Sequence, residues 1–237
     1  MSGFRFHRPS LCLPMVIVVM GLSWAVIASA QSVTWQILPW PDDQNWLGPR
    51  GNPAVTNGNQ VTLTGQDVRT VQSFTGPSTI SFDVSMQAKI TPDGGFHLQF
   101  VPTGEPVNLL ANPNIDLQMN WGNLTLGDTL GVQQNNGSYL WGLNPFTFSA
   151  GTVYHYSVTV AGNGQIGWSI NGADVGLSNS IVLPFSNYQL RLVSWQPTAV
   201  WQVSNFTVVP EPATVTLVGV SLVALLITTR RRNSASR

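Results

Sequence analysis

The chain has 237 residues, of which 43% are hydrophobic and only 8% are charged, and 10 basic residues balance 10 acidic ones. Six of the basic residues lie in the terminal segments, so residues 31–209 keep four basic against nine acidic residues, a net charge of about minus five. This balance argues against nucleic acid as a partner, because a phosphate backbone requires a cationic face. The sole cysteine, Cys12, lies near the N-terminus, which leaves the rest of the chain without disulfides or cysteine metal sites.

The first thirty residues have the pattern of a secretory signal. Arg5 and Arg8 precede an apolar run over residues 11–27. The run ends at Ala28-Ser29-Ala30, and Ala28 and Ala30 form the small-x-small pattern that signal peptidase accepts. We therefore predict that residues 1–30 are a cleaved signal peptide, with a retained N-terminal anchor as the alternative.

Residues 31–208 are predicted to form one all-β ectodomain, which is long enough to bury a core without disulfides. Apolar and polar residues alternate without a break from Ile80 to Ile90, which predicts a long strand that is buried on one face only. The same alternation recurs over residues 96–100 and 115–121. The spacing of these runs predicts consecutive antiparallel strands.

Hairpins are the clearest signal in the second half. "VYHYSVTV" and "QIGWSI" flank Ala161-Gly162-Asn163-Gly164, whose Asn-Gly pair is predicted to supply positive φ angles to a hairpin. Asn171-Gly172 marks a further turn, and the last two predicted strands are "YQLRLVSW" and "VWQVSNFTVV". Outside the two terminal segments we find no helical period, so the sequence predicts a two-sheet antiparallel sandwich.

This part of the chain resembles the concanavalin A-like lectin and glucanase superfamily. The resemblance rests on "FSAGTVYHYSVTVAGNGQIGWSINGADVG" and "RLVSWQPTAVWQVSNFTV", and it covers residues 79–209. It implies a jelly-roll sandwich. For a retaining glucanase of the superfamily it would also imply two glutamates and an aspartate close together on one strand, because that reaction needs two carboxyl groups about 5 Å apart.

The ectodomain lacks this carboxylate pattern. Its one glutamate, Glu105, lies in the turn-like "PTGEPV", and Asp83 has no second carboxylate two or four residues away. His97 and His155 are predicted to lie alone on the polar faces of their strands. We therefore predict no catalytic residues, and a divergent glycan hydrolase with carboxylates in another pattern is the alternative.

The sequence predicts no cofactor but leaves calcium open, because lectin-like sandwiches often bind that ion. Calcium takes oxygen ligands, and the oxygen donors in or near predicted loops are Asp93, Asn112, Asn114, Asp116 and Asp128. Their spacing matches no calcium loop.

Eight of the nine tryptophans fall within residues 31–208, and most are predicted to be core, because a large ring contributes much buried area. A few can instead stack on sugar rings while neighbouring amides bond the hydroxyls. Tyr139 and Trp141, with Asn136 beside them in "QQNNGSY", are the predicted ligand-binding residues, and core packing is the alternative.

The C-terminal segment, residues 209–237, has three elements in order: Pro210-Glu211-Pro212, an apolar run over 213–229, and the cluster Arg230, Arg231 and Arg232. A helix over the apolar run would reach roughly 25 Å, so it can span the ~30 Å hydrocarbon core if the flanks adapt. The arginines are predicted to stop transfer on the cytoplasmic side. The two prolines favour extended backbone, so the motif is predicted to be an open strand beside the membrane.

These elements resemble the PEP-CTERM sorting signal of Gram-negative bacteria that make exopolysaccharide. The resemblance covers about 27 residues. It implies that an exosortase, a membrane cysteine transpeptidase, reads Pro210, Glu211 and Pro212 and removes the tail. A plain C-terminal anchor is the alternative.

Taken together, the sequence predicts an exported carbohydrate-binding or matrix module. Such a protein would lie transiently in the inner membrane and then on the outer surface or in the polysaccharide matrix. A divergent hydrolase and a structural surface protein without a ligand are the other two hypotheses.

If the motif directs processing, the surface-exposed protein should lack the apolar run and Arg230 to Arg232. Replacing Pro210, Glu211 and Pro212 by alanine should then keep the uncut chain in the inner membrane, because the anchor itself is untouched. Mass spectrometry of the C-terminus, on protein isolated from its own cells, measures this. Finding Arg237 on most of the surface-exposed protein would leave the plain anchor as the correct reading.

Overall fold

The structure is a computed structural model, and its described residues lie within Ala28–Pro212. The residues that the structure describes are 29–31, 33–37, 55–57, 60–64, 67–89, 94–104, 114–123, 127–135, 137, 139–177, 181–194 and 199–211. Most of the predicted signal peptide, including Ala28, lies outside these ranges, as do Pro212, the apolar run and the arginine cluster. Within the described ranges there is no helix with the length and apolar character needed to cross a membrane.

The described residues form fifteen β-strands and no helix, which confirms the all-β prediction for this part of the chain. In chain order the strands are β1 (Trp35–Ile37), β2 (Val55–Asn57), β3 (Gln60–Thr64), β4 (Asp67–Thr70), β5 (Phe74–Thr75), β6 (Ser78–Lys89), β7 (Gly94–Pro102), β8 (Ile115–Asn123), β9 (Gly127–Gln134), β10 (Tyr139–Pro145), β11 (Val153–Val160), β12 (Ile166–Ile170), β13 (Ala173–Asp174), β14 (Asn187–Ser194) and β15 (Ala199–Pro210).

The strands pair into two antiparallel sheets. The first sheet has the order β1-β4-β14-β7-β8-β9-β10, with β5 also paired to β14. The second sheet has the order β13-β12-β11-β6-β15-β3-β2. The long strand predicted from alternation is β6, which lies inside the second sheet between β11 and β15.

The hydrophobic core is built from alternating side chains of both sheets. On β6, Ile80, Phe82 and Val84 are fully buried, as the alternation predicts. The Phe82 ring stacks on Tyr156 and on Phe206, with ring centroids 4.6 and 5.1 Å apart. It also meets Phe96 of the first sheet edge-on at 5.9 Å. These rings join the two sheets, because aromatic side chains bury large areas and prefer such stacked and edge geometries.

Five tryptophans fall in the described part of the chain. Trp168 and Trp201 are core residues, with 2% and 1% of their surface exposed, as predicted for most of this group. The half-buried tryptophans that pack against the core are Trp35, Trp121 and Trp141. Trp40, Trp46 and Trp195 lie outside the described residues.

The two Asn-Gly turns have different geometries. Asn171 and Gly172 both have positive φ, 53° and 78°, and they join β12 to β13 as a two-residue hairpin turn. Between β11 and β12, positive φ is found at Gly164 but not at Asn163. The Asn163 side chain instead accepts a hydrogen bond from the Gln165 amide at 3.0 Å, which favours a longer loop that ends in a glycine bulge.

The last strand reaches the predicted sorting motif. Pro210 is the final residue of β15 and lies opposite Ser78, and the Glu211 amide donates to the Pro77 carbonyl at 2.9 Å. These two motif residues are extended, as the prolines predict, but they pair with the sheet and are not open. The reason is that a proline removes only its own amide, which leaves the Glu211 amide able to continue the pairing.

Two buried tyrosines allow a matched test of the core. The Tyr156 hydroxyl has no hydrogen-bond partner, whereas the Tyr188 hydroxyl bonds the Ser78 hydroxyl. Tyr156→Phe should leave the free energy of unfolding unchanged or raise it by up to about 1 kcal/mol, because it removes an unpaired buried group. Tyr188→Phe should lower it by about 1 kcal/mol, because it strands Ser78. Urea unfolding measures both, and equal destabilisation by the two variants would contradict this account.

Candidate functional site

The first sheet is buried on both of its faces. One face meets the core, and the other carries polar side chains that are also mostly buried. This second face, called the polar face below, consists of Asp67, Arg69, His97, Gln99, Asp116, Gln118, Asn120, Thr129, Gln133, Gln189 and Arg191. Burying polar groups costs free energy unless they are hydrogen-bonded. Because the polar face buries so many polar side chains, it is the candidate functional site.

Strand register arranges these side chains in rows. One row crosses six strands, each residue opposite the next: Arg69, Arg191, Gln99, Asp116, Gln133 and Tyr139. The row is charged where it crosses β4 and β14. It is uncharged at the other end, where Gln133 of β9 meets Tyr139 of β10.

Asp116 is the centre of a hydrogen-bond network on the polar face. Its Oδ2 atom lies 2.8 Å from His97 Nδ1 and accepts a hydrogen bond from Gln118 Nε2 at 2.9 Å. The prediction that His97 lies alone is wrong, because the pairing of β7 with β8 sets His97 opposite Gln118 and diagonal to Asp116. All three residues are at most 5% exposed.

Gln118 carries the network from Asp116 to the edge of the sheet. Its Nε2 also donates to Gln133 Oε1 at 2.6 Å, and its Oε1 accepts from the Tyr139 hydroxyl at 3.1 Å and from Asn120 Nδ2 at 3.4 Å. Burial and then the negative charge of Asp116 raise the pKa of Tyr139, against a hydrogen bond with Asn120 that lowers it. The Tyr139 hydroxyl therefore stays protonated and donates a hydrogen bond to Gln118 Oε1.

Sequence reasoning missed Gln118, Asn120 and Gln133. A usable signal was present in "IDLQMNW", where Asp116, Gln118 and Asn120 alternate with the apolar residues and so must share one face of the strand. This alternation does not show which strands pair with β8.

Tyr139 and Trp141 do not form one platform. Tyr139 lies on the polar face and is 37% exposed. Trp141 lies opposite Val132 and packs edge-on against Trp168 of the core, with ring centroids 6.3 Å apart. The register shift between the two residues places them on opposite faces, although alternation alone would put them on the same one. Asn136 lies outside the described residues.

A buried ion pair closes the charged end of the polar face. The Arg191 guanidinium donates to the Asp67 carboxylate, and both side chains are almost fully buried. Burial and then the positive charge of Arg191 lower the pKa of neighbouring Arg69. Removing either partner would leave the other as an unpaired buried charge, so the loss of Arg191 or Asp67 is expected to destabilise this end of the sheet.

The second sheet carries a smaller polar cluster on its outer face. Asp83 Oδ1 lies 2.9 Å from His155 Nδ1, and Asp83 Oδ2 accepts from Asn205 Nδ2 at 2.7 Å. His155 lies on the polar face of its strand, as predicted, and is exposed, but it is not alone, because β6 and β11 pair with Asp83 opposite His155. The hydrogen bonds from His155 and Asn205 are the main cause that lowers the pKa of Asp83.

The predicted calcium donors do not converge in the described part of the chain. Asp116 serves the polar-face network, Asp128 accepts from the Phe148 amide at 3.2 Å, and the Asn114 amide donates to Asn135. Among the described residues, histidine and carboxylate side chains nowhere form a group of three that could hold a metal ion. Asp93 and Asn112 lie outside those residues.

Comparison with known proteins identifies the fold. No protein-family model and no curated protein matches the chain. Among solved structures, the chain is similar to the carbohydrate recognition domain of Emp46p, with a TM-score of 0.56 at 10% identity, covering 76% of this chain and 100% of that one. That domain has been solved in metal-free and potassium-bound forms.

Two bacterial structures are similar to a comparable degree. The carbohydrate-binding module CBM66 from Bacillus subtilis has a TM-score of 0.52 at 15% identity, covering 74% of this chain and 94% of that one. A β-glucanase from Bacillus licheniformis has a TM-score of 0.52 at 14% identity, covering 77% and 94%. The chain therefore shares the two-sheet antiparallel sandwich fold of these lectin and glucanase domains, as the sequence resemblance implies.

The Asp83 cluster predicts a pH-dependent stability difference. A carboxyl group whose pKa is lowered by folding stabilises the protein above its unfolded pKa, and this contribution is lost as the pH falls through the folded pKa. Asp83→Asn should therefore cost about 0.5 kcal/mol near pH 6, and the cost should vanish in the acid range below pH 4. Urea unfolding of both chains from pH 6 to pH 2 measures the difference. A cost that stays constant over this range would show that Asp83 does not act through its charge.

Proposed function

We propose that the protein is a carbohydrate-binding module whose ligand site is the β8–β10 part of the polar face. The observation that carries the proposal is the position of the part-exposed Tyr139 ring beside the amides of Gln118, Asn120 and Gln133. A sugar ring offers an apolar face and a rim of hydroxyl groups. An aromatic ring next to oriented amides is complementary to both.

The comparisons support this proposal at the level of the fold. Emp46p is described by its carbohydrate recognition domain and CBM66 as a carbohydrate-binding module, and both share the fold of this chain. The acidic balance of residues 31–209 adds support, because it disfavours polyanionic partners such as nucleic acid.

We further propose a cellular route, which rests on the sequence patterns of the two ends. Signal peptidase removes residues 1–30, and the apolar run over 213–229 holds the chain briefly in the inner membrane. An exosortase then reads Pro210, Glu211 and Pro212, and the domain is passed to the outer surface or extracellular matrix of a Gram-negative bacterium. There it binds or organises exopolysaccharide.

We favour sugar binding over sugar hydrolysis because the carboxylates of the polar face lie farther apart than those of a glycosidase. Among the described residues of the polar face, the carboxylates are Asp116 on β8 and Asp67 on β4. The strands β14 and β7 lie between them, which at about 4.8 Å per strand sets them roughly 14 Å apart. Glycosidases use separations of about 5 to 9.5 Å. A divergent hydrolase with other carboxylates is the remaining alternative.

Single substitutions at the two predicted ligand residues separate binding from packing. Tyr139→Ala should weaken polysaccharide binding at least about tenfold, with little change in the melting temperature, because the ring is part-exposed. Trp141→Ala should instead lower the free energy of unfolding by about 2 kcal/mol or more, because the ring packs against the core. Affinity electrophoresis on laminarin, xylan, galactomannan and dextran, with thermal unfolding in parallel, measures both effects.

Tyr139→Phe is the matched control. It keeps the ring and removes the hydroxyl, so it reports how much of the binding depends on orientation by Gln118. Binding of at least one polysaccharide that is lost in Tyr139→Ala supports the site. If no glycan is bound, or if binding survives Tyr139→Ala, the proposed function is wrong.

A further inference from the structure

Both predicted processing points lie at one end of the sandwich. The Glu211 amide donates to the Pro77 carbonyl, where β15 ends. The Gln31 amide donates to the Val208 carbonyl at 2.9 Å, three residues before Glu211 on the same strand. The predicted signal cleavage point after Ala30 therefore lies beside the predicted sorting motif.

This end of the sandwich, called the exit end below, consists of the strand ends and turns around Pro77. Its described residues are 29–31, 75–78, 102–104, 160–165, 182–188 and 210–211. Within this described set, Glu211 is the only residue with a charged side chain. The exit end is therefore a surface that can leave bulk water without the large cost of desolvating charges.

The loop before β14 presents apolar side chains on the exit end. Val182 is 42% exposed, Pro184 is exposed and Phe185 is half-buried. The Leu183 amide donates to the Gly164 carbonyl at 2.9 Å, which joins this loop to the β11–β12 hairpin. A cavity of about 300 Å³ opens between the hairpin and the loop, and Pro184 and Phe185 are part of its wall. The apolar groups are thus held in place on a surface that is already formed.

The sequence attaches both predicted membrane segments at this same end. The apolar run over 213–229 begins two residues after Glu211, and two extended residues reach at most about 7 Å. The apolar run over 11–27 ends four residues before Gln31, which an extended chain covers in about 14 Å. On the predicted topology, both connections lie on the outer side of the inner membrane.

We infer that the exit end is a membrane-contact surface, on which Val182, Pro184 and Phe185 touch the outer leaflet of the inner membrane while the tail anchors the chain. The inference rests on the anchoring step of the proposed function. Apolar side chains gain free energy when they leave water for the bilayer interface. The attachment of two membrane segments and the scarcity of charge favour lipid over a protein as the partner.

The contact depends on the anchor. Three apolar side chains bury too little area to hold a domain on a membrane, since even a whole myristoyl chain gives only marginal and reversible binding. Removal of the tail would therefore also release the exit end from the lipid.

The test measures lipid contact at two matched valines. Cys12→Ser removes the sole cysteine, so that Val182→Cys or Val153→Cys can carry a single fluorophore. Val153 is 57% exposed and begins β11, whose other end lies in the exit end roughly 24 Å away. The full chain is reconstituted in vesicles of phosphatidylethanolamine and phosphatidylglycerol, with nitroxide groups on a fraction of the lipids. Quenching should be at least about threefold stronger at position 182, because an interfacial contact reaches only about 5–10 Å into the bilayer surface.

A third label position separates contact from simple tethering. Ala161 is exposed at the tip of the hairpin, so Ala161→Cys reports on the exit end without altering the apolar loop. In this labelled chain Val182→Asp should lower the quenching about threefold, because a charge disfavours the apolar side of the interface. Val153→Asp adds the same charge at the other end and should leave the quenching unchanged. Thermal unfolding checks that Val182→Asp is folded, and the comparison of positions 182 and 153 needs no charged variant.

Flotation of the vesicles distinguishes the two proposals. A chain that floats with the vesicles but shows equal quenching at positions 182 and 153 overturns the lipid contact and leaves the anchor standing. Quenching at position 161 that is unchanged by Val182→Asp, in a folded chain, also overturns the contact, and the exit end would then be free for a protein such as the processing enzyme. A chain that does not float with the vesicles overturns the anchoring step of the proposed function, and this inference with it.

Discussion

Asp116 Oδ2 holds the polar face of the first sheet in one arrangement. It accepts from Gln118 and lies 2.8 Å from His97 Nδ1, and through Gln118 it sets the positions of Gln133 and the Tyr139 hydroxyl. Hydrogen bonds to an ionised group are about twice as strong as neutral ones, and burial strengthens them further. The orientation of each amide in the candidate site therefore follows from this one carboxylate.

A buried polar face requires a core that can offset its desolvation. The opposite side of the same strands supplies that core, because Phe96, Leu98 and Leu117 are fully buried against the second sheet. The aromatic stack around Phe82 adds contacts between the sheets. The alternation of the strands thus separates two tasks: one face stabilises the fold, and the other arranges hydrogen-bonding groups.

Local irregularities decide which residues reach each face. In β10 the register shift separates Tyr139 from Trp141 and leaves one ring for the polar face and the other for the core. In β15 a similar shift between Ser204 and Thr207 includes Asn205, whose φ is 54°. It allows Asn205 to bond Asp83 while the next residue, Phe206, packs in the core. A β-bulge breaks strict alternation, so each of these placements departs from the simple pattern.

The sequence by itself determined seven of the fifteen strands, namely β6, β7, β8, β11, β12, β14 and β15, together with their inward residues and the all-β class, because alternation depends only on neighbours along the chain. Alternation places Ile80, Phe82 and Val84 in the core. It also places Asp116, Gln118 and Asn120 on one face of their strand. The export and sorting segments remain predictions from pattern. Only the tertiary structure decided which side chains pair with each other. His97 contacts Asp116, 19 residues away in the sequence, and Arg191 contacts Asp67, 124 residues away. Pairing between strands is set by register and bulges over long separations, and no local pattern in one sequence encodes that choice.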